Sequence, residues 1–171
     1  MAIQKKNIKN STLLVRSSAI KNNNNEIIYA KKKKIPIYSR AEILADVVSL
    51  KKNIIITGSH GKTTTTSLLS HIMYVNKLDP TYLIGGKLKT DDPHVKLGNS
   101  NYLITETDES DSSFSSLKPH LVLLTNLEEE HLENYKNKFS NLKNSMLKLI
   151  NSIPFYGKCF LNGDDKISNE L

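Results

Sequence analysis

Apolar residues in this chain fall into short β-branched runs separated by stretches with helical spacing. Ile54-Ile55-Ile56-Thr57 and residues 102–105, 121–125 and 158–161 have the length and composition of buried strands. Residues 81–84 predict a further short strand after a break at Pro80, closed by the turn dipeptide Gly85-Gly86. Between strands, Leu68, Leu69, Ile72, Met73 and Val75 predict an amphipathic helix with those residues in the core. Phe139, Leu142, Met146, Leu149 and Ile150 predict another, stopped by Pro154. Residues 87–100 are polar and predict a loop, and Asn162-Gly163-Asp164 is turn chemistry.

The first third is less regular. Residues 1–34 are polar and include the low-complexity run Asn22-Asn23-Asn24-Asn25. Within them Thr12-Leu13-Leu14-Val15 predicts a short strand and Glu26-Ile27-Ile28-Tyr29-Ala30 a short helix. Ile35-Pro36-Ile37-Tyr38 predicts extended backbone, because Pro fixes its own φ and biases its predecessor toward β. Ser39 and Glu42 have the spacing of a capping box, opening a helix with apolar Ile43, Leu44, Val47, Val48 and Leu50. Strands alternating with helices predict an α/β fold: a parallel sheet with flanking helices and right-handed crossovers. Ligands of such sheets gather at the carboxyl ends of the strands.

Those strand ends carry the candidate chemistry. The run 54–57 leads into Gly58-Ser59-His60-Gly61-Lys62-Thr63-Thr64-Thr65-Thr66, a strand, a glycine-framed loop and a helix start. Gly58 and Gly61 allow the backbone to wrap close to a ligand. The unpaired N–H groups of the first helical turn and the helix dipole favour an anion there. Lys62 supplies a charge for outer phosphates and Thr63 a hydroxyl for Mg²⁺, so the first reading is a phosphate-binding loop for a nucleoside triphosphate. The spacing is the short G-x-x-G-K-T form; the longer common loop would need Gly where Ile56 stands, which disfavours a kinase or GTPase. A glycine-rich turn that binds nothing is the alternative. Residues 102–105 run into Glu106-Thr107-Asp108-Glu109-Ser110-Asp111, and 121–125 into Asn126 and Glu128-Glu129-Glu130-His131. Alone, the acidic run reads as a solvated loop and His131 as a surface histidine. Beside a triphosphate, hard carboxylate oxygens suit Mg²⁺.

Composition narrows the classes. The net charge of +7 and pI of 9.4 suggest nucleic acid. Residues 1–34, however, hold nine Lys/Arg against one acid, which leaves fifteen bases against sixteen acids elsewhere. The body of the chain is therefore not basic, and Lys31-Lys32-Lys33-Lys34 reads as a solvated face rather than a nucleic-acid site. Only Arg16 and Arg40 are arginines; abundant Lys, Asn and Ile fit an A/T-biased genome. No run reaches the ~18 apolar residues of a membrane span. The N-terminus lacks the apolar core of a secretory signal. The single cysteine, Cys159, excludes an internal disulfide, suits a reducing cytoplasm and predicts a buried strand position.

The motifs together resemble the Mur ligase family. Its G-[TS]-H-G-K-T-T-T-T signature matches 58–66, and its E-A-D-E-S-D-x-S-F matches 106–114 with Thr107 for Ala. Its T-N-I-x-x-D-H matches Thr125-Asn126-Leu127-Glu128-Glu129-Glu130-His131, with Glu130 at the usual Asp position; Glu133 stands at a second. Weaker matches are Ser17-Ser18-Ala19-Ile20, Ile35-Pro36, Arg40-Ala41-Glu42, Gly85-Gly86 and Leu161-Asn162-Gly163-Asp164-Asp165. The D-E-S-D form points to the alanine-adding branch of the family. The resemblance implies ATP-dependent joining of L-alanine to UDP-N-acetylmuramate through an acyl phosphate, in cytoplasmic peptidoglycan synthesis. It implies that Gly58, Ser59, His60, Gly61, Lys62, Thr63 and Thr64 bind ATP, with Lys62 on the outer phosphates. Thr63, Glu106 and His131 would hold Mg²⁺, and Asn126, Glu109, Ser110 and Asp111 would shape the muramate site. It also implies three domains in a longer protein. Residues 1–50 would then be the tail of a Rossmann-like nucleotide-sugar-binding domain with a connecting helix. Residues 51–171 would be the first half of the central ATPase domain. The expectation is a fragment or truncated copy, its missing domains supplied by the rest of a longer chain. The alternative is a non-catalytic Mg·ATP-binding remnant.

Overall fold

The computed structural model describes residues 8–17, 19–85, 93–107, 117–130 and 132–171. They form two compact units, residues 1–46 and 47–171. In the first, β1 (Leu14–Arg16) pairs in parallel with β2 (Ile37–Ser39), Leu14 opposite Ile37. Parallel strands need a crossover, and α1 (Asn25–Lys32) supplies it, burying Ile27 and Ala30. The asparagine run acts at this point: the Asn24 side chain accepts from Glu26 N at 2.8 Å and caps the helix. The capping box forms at the start of α2 (Arg40–Ser49). Ser39 N donates to Glu42 Oε2 at 2.6 Å and Glu42 N to Ser39 Oγ at 3.1 Å. These bonds from Ser39 hold the Glu42 carboxyl below its ordinary value.

The second unit is built on a six-stranded sheet. Its strands are β3 (Lys52–Thr57), β4 (Thr81–Leu83), β5 (Val95–Lys96), β6 (Tyr102–Glu106), β7 (Leu121–Leu124) and β8 (Lys158–Leu161). Their spatial order is β5-β4-β6-β3-β7-β8, every pair parallel except β4 with β5. α3 (Lys62–Val75) follows β3, and α4 (Phe139–Asn151) joins β7 to β8. In the register, Ile56 lies opposite Glu106 and Thr57 opposite Leu124. The carboxyl ends of β6, β3 and β7 therefore share one edge of the sheet.

On one face Ile56, Ile104 and Met73 of α3 form a buried cluster, with Ile54, Leu69, Tyr82, Tyr102 and Leu123 packed against it. Strand alternation puts Ile55, Leu103, Val122 and Leu124, also buried, on the other face. α4 buries Leu142, Met146 and Leu149 at helical spacing. Two polar side chains, buried Asn53 and half-buried Lys51, close the amino end of the sheet. The Asn53 amide donates to Val48 O and Lys118 O and accepts from His120 N. The Lys51 ammonium donates to Thr81 Oγ1, Gly98 O and Ser100 O.

Four expectations are corrected. The face of α3 is rotated: it buries Thr66, Ser70 and Met73, whereas Leu68, Ile72 and Val75 are exposed. Both sets have helical spacing, so periodicity admits either. The helix must also begin at the end of the glycine loop, and that fixes its rotation. Thr66 tolerates burial because its hydroxyl donates back to Lys62 O at 2.8 Å. The expected loop 87–100 contains β5, whose Val95 and Lys96 pair with β4; residues 86–92 of that turn and loop lie outside the described residues. Cys159 is half-buried rather than buried, because β8 is the outermost strand of the sheet among the described residues; partial desolvation raises its thiol pKa. The first strand runs 14–16 rather than 12–15, following its parallel partner.

Burial on the two sides of α3 gives a direct test. Ile104→Ala should cost about 2–5 kcal/mol in urea unfolding through lost burial and the cavity left behind. Leu68→Ala, at a position 58% exposed, should stay within about 1 kcal/mol. A large loss for Leu68→Ala would restore the periodicity-based face.

Candidate nucleotide site

The loop between β3 and α3 is shaped by its two glycines. Gly58 has φ 129° and Gly61, the residue before α3, has φ 80°. Both lie in the region that side chains rarely adopt. Gly58 has a second reason to lack one: a Cβ there would fall 2.3 Å from Thr125 Oγ1 and 2.6 Å from Asn126 O. The loop is pressed against the segment leaving β7, and hydrogen bonds hold it there. Ser59 N donates to Asn126 O at 3.0 Å, and Thr125 Oγ1 donates to His60 O at 2.7 Å. Asn126 Oδ1 accepts from His60 N at 2.8 Å, its Nδ2 donates to His60 O at 3.1 Å, and Glu128 N donates to Ser59 Oγ at 2.9 Å.

Inside this frame Lys62, the first residue of α3, turns its ammonium onto the loop carbonyls, Gly58 O at 2.6 Å and Ser59 O at 3.2 Å. The cation thus sits at the helix N-terminus, where the dipole also favours an anion. One residue on, Thr63 Oγ1 donates to Glu106 Oε2 at 2.9 Å. The other oxygen of Glu106 accepts from Gly85 N. Thr63 and Glu106 come from different elements 43 residues apart and meet at the sheet edge because β6 lies beside β3. This hydroxyl and carboxylate are hard oxygen donors of the kind Mg²⁺ takes, and they fit such an ion. Thr64 is exposed on the first turn of α3.

His60 points away from this pair. Its Nε2 lies 3.6 Å from Glu128 Oε2 and 3.4 Å from Glu130 Oε2. One ligand atom from each of the three lies within 4.8 Å of the others, but all three side chains are exposed. With all three groups exposed to solvent, their interaction is weak. Glu130 thereby faces the loop histidine.

Of the residues singled out from sequence, the structure brings together Gly58, Ser59, His60, Gly61, Lys62, Thr63, Glu106 and Asn126. His131, Glu109, Ser110 and Asp111 lie outside the described residues. Sequence reasoning gave no role to Thr125, read as a strand end and as part of the family motif, or to the Gly85 amide that orients Glu106. It also missed Asp165, whose carboxylate accepts from Leu127 N at 3.2 Å, Ser168 N at 2.9 Å and the Ser168 hydroxyl. Asp165 ties the turn after β8 to the segment carrying Asn126; its signal in the sequence was the weaker family match over residues 161–165.

The fold and loop define a class: a parallel α/β domain with a phosphate-type loop at the carboxyl edge of its sheet. Residues 56–171 match the model of the Mur ligase middle domain, and residues 2–52 that of the Mur ligase family catalytic domain. The chain belongs to the Mur ligase family. It is 52% identical over 167 residues to the UDP-N-acetylmuramate–L-alanine ligase of Pelagibacter ubique, a match covering 98% of this chain and 36% of that protein. It is 48% identical over 165 residues to the ligase of the same name from Ruthia magnifica, covering 96% and 35%. The solved structure of the UDP-N-acetylmuramate-alanine ligase MurC from Thermotoga maritima superposes with a TM-score of 0.82 at 26% identity, covering 93% of this chain and 37% of that one. MurF from the same organism, solved in complex with ADP, shares the fold, with a TM-score of 0.62 at 15% identity and cover of 94% and 45%. The chain spans about a third of the length of the curated relatives it matches.

Two outcomes test the frame. Gly58→Ala should destabilise the chain by roughly 2 kcal/mol or more, since both φ and the Thr125 contact oppose a side chain; an unchanged urea midpoint would contradict the close approach. Asp165 is held below its ordinary 3.8, first by the Ser168 hydroxyl. A depressed carboxyl stabilises the fold above its unfolded value and loses that contribution as pH falls through the folded one. Asp165→Asn should therefore flatten the acid limb of the stability–pH curve below 3.8, leaving the neutral range parallel to wild type.

Proposed function

We propose that this chain is the ATP-holding part of a UDP-N-acetylmuramate–L-alanine ligase of cytoplasmic peptidoglycan synthesis. The observation that carries the reading is the Thr63–Glu106 pair beside Lys62 at the mouth of the Gly58–Gly61 loop. A hydroxyl, a carboxylate, an ammonium and a helix N-terminus are the parts that Mg·ATP needs at its phosphates. The names of the relatives at 48% and 52% identity support the substrates. In this reading residues 1–50 are the tail of the nucleotide-sugar-binding domain and 51–171 the first half of the ATPase domain. The remaining domains belong to the rest of a longer chain.

The reaction activates the lactyl carboxylate of UDP-N-acetylmuramate. A carboxylate oxygen attacks the γ-phosphorus of ATP, ADP leaves, and an acyl phosphate forms. The amine of L-alanine then attacks the acyl carbon, expels inorganic phosphate, and loses a proton as the amide forms. In phosphoryl transfer the protein contributes mainly positioning and charge neutralisation. Lys62 neutralises the outer phosphates, and the loop amides and α3 dipole fix them in place. Thr63 and Glu106 are the residues of this chain that would hold Mg²⁺, which would supply Lewis-acid neutralisation. His131 completes that set, and Glu109, Ser110 and Asp111 contribute to the muramate site, in line with the family motifs.

Calorimetry with Mg·ATP, and phosphate release with both co-substrates, test the proposal. Mg²⁺-dependent ATP binding is expected; binding without turnover in the full-length protein would make this a non-catalytic remnant. In the full-length context Lys62→Ala should lower ligation by roughly a hundredfold or more while the circular dichroism spectrum stays unchanged. Glu106→Ala should raise the Mg²⁺ requirement more than Glu109→Ala. Near-normal turnover of the Lys62 variant, or the reverse order of the two Glu variants, would remove the corresponding assignment.

A further inference from the structure

Asn126 enters from the sequence as a candidate substrate contact, yet its side chain is committed elsewhere. Its Oδ1 accepts from His60 N at 2.8 Å and its Nδ2 donates to His60 O at 3.1 Å. A backbone N–H can only donate and a C=O only accept, so these partners fix the orientation of the amide. One side chain thus bonds both polar groups of a single residue in the middle of the loop. Neighbouring bonds converge on the same stretch: Asn126 O accepts from Ser59 N, and Thr125 Oγ1 donates to His60 O. The Gly58 contact leaves no slack behind it, since a Cβ there would also lie 3.0 Å from Asn126 N. His60 lies between the two loop glycines, where the backbone is otherwise least restrained.

The geometry points to Asn126 as the positioning residue of the phosphate loop. It sets the His60 peptide groups, and through them the approach to Gly61 and the first turn of α3. The proposal rests on the nucleotide reading only for its effect on affinity; the loop restraint is measurable without ligand. It extends to specificity of residue type: Asn carries a donor and an acceptor on adjacent atoms, which neither Asp at neutral pH nor Leu does.

Amide hydrogen exchange of the 171-residue chain, followed by NMR, separates this from a packing role. Asn126→Leu keeps similar volume and removes both bonds, so His60 N–H should exchange about tenfold faster or more. The core amides of Ile55 and Ile104 should keep their wild-type rates. Asn126→Asp retains an acceptor for His60 N–H and should hold its exchange within about threefold of wild type. Mg·ATP affinity of the Leu variant should fall about tenfold. If the Leu variant does not fold, Asn126→Ala supplies the same readout. Unchanged His60 exchange in Asn126→Leu overturns the proposal, as does faster exchange with undiminished Mg·ATP affinity. Wild-type protein that fails to bind Mg·ATP would refute the nucleotide reading instead, and His60 exchange alone would then decide the restraint.

Discussion

The contact on which the rest of the structure depends is the approach of the Gly58 backbone to Thr125 and Asn126. A Cβ at Gly58 would sit within 2.6 Å of both residues, so the strand end is locked against its neighbour with no intervening side chain. Because β3 and β7 are parallel and in register, with Thr57 opposite Leu124, the two segments leave the sheet side by side. From that lock the chain has little freedom in where α3 begins. The rotation of α3 follows, which explains why buried Thr66 and Ser70 displace exposed Leu68 and Ile72 from the sheet-facing side.

The position of β3 between β6 and β7 divides the work. β7 delivers backbone and amide groups that restrain the loop, whereas β6 delivers a carboxylate that meets the loop's hydroxyl. Neither neighbour is adjacent to β3 in sequence, so the site exists only when the crossovers have formed. This is the physical content of a ligand site at the carboxyl edge of an open parallel sheet. The residues that hold the loop are separated from it by more than 60 positions. Loss of sheet order would therefore dismantle the site and release the loop together.

Much of this was legible in the sequence because the signals are local. Glycines, Lys62 and threonines after a β-branched run specify a loop and helix start, and Ser39 with Glu42 specifies a cap. Glu106 was singled out through the resemblance to the family motif, since the acidic run alone reads as a solvated loop, and alternation of elements supplied the parallel sheet. What stayed hidden is decided by tertiary packing. Periodicity offered two faces for α3, and only the loop chooses between them. The two-residue β5 has no pattern of its own and exists through pairing with β4. Cys159 looked buried beside Phe160 and Leu161, but β8 is the outermost strand among the described residues, and all three are partly or well exposed. Thr125 and Asp165 act through hydrogen bonds to backbone distant in sequence, Thr125 to Thr57 O and His60 O and Asp165 to Leu127 N, which no composition or spacing reports.

The restraints on the loop bear on how an anion would be received. An unrestrained loop of the four residues Gly58–Gly61 would lose backbone freedom when it binds, at about 1–2 kcal/mol per residue fixed. Here the Ser59 amide, both polar groups of His60 and the Gly58 backbone are already fixed by β7, and Lys62 is held against the loop carbonyls. That ordering is met during folding rather than during binding, so more of the electrostatic attraction remains for affinity. In the proposed reaction the same preorganisation would favour charge developing on a transferred phosphoryl group, since the dipoles would not need to reorient as it moves. The sheet thus contributes to the site's chemistry through the stiffness it gives the loop as well as through the residues it carries there.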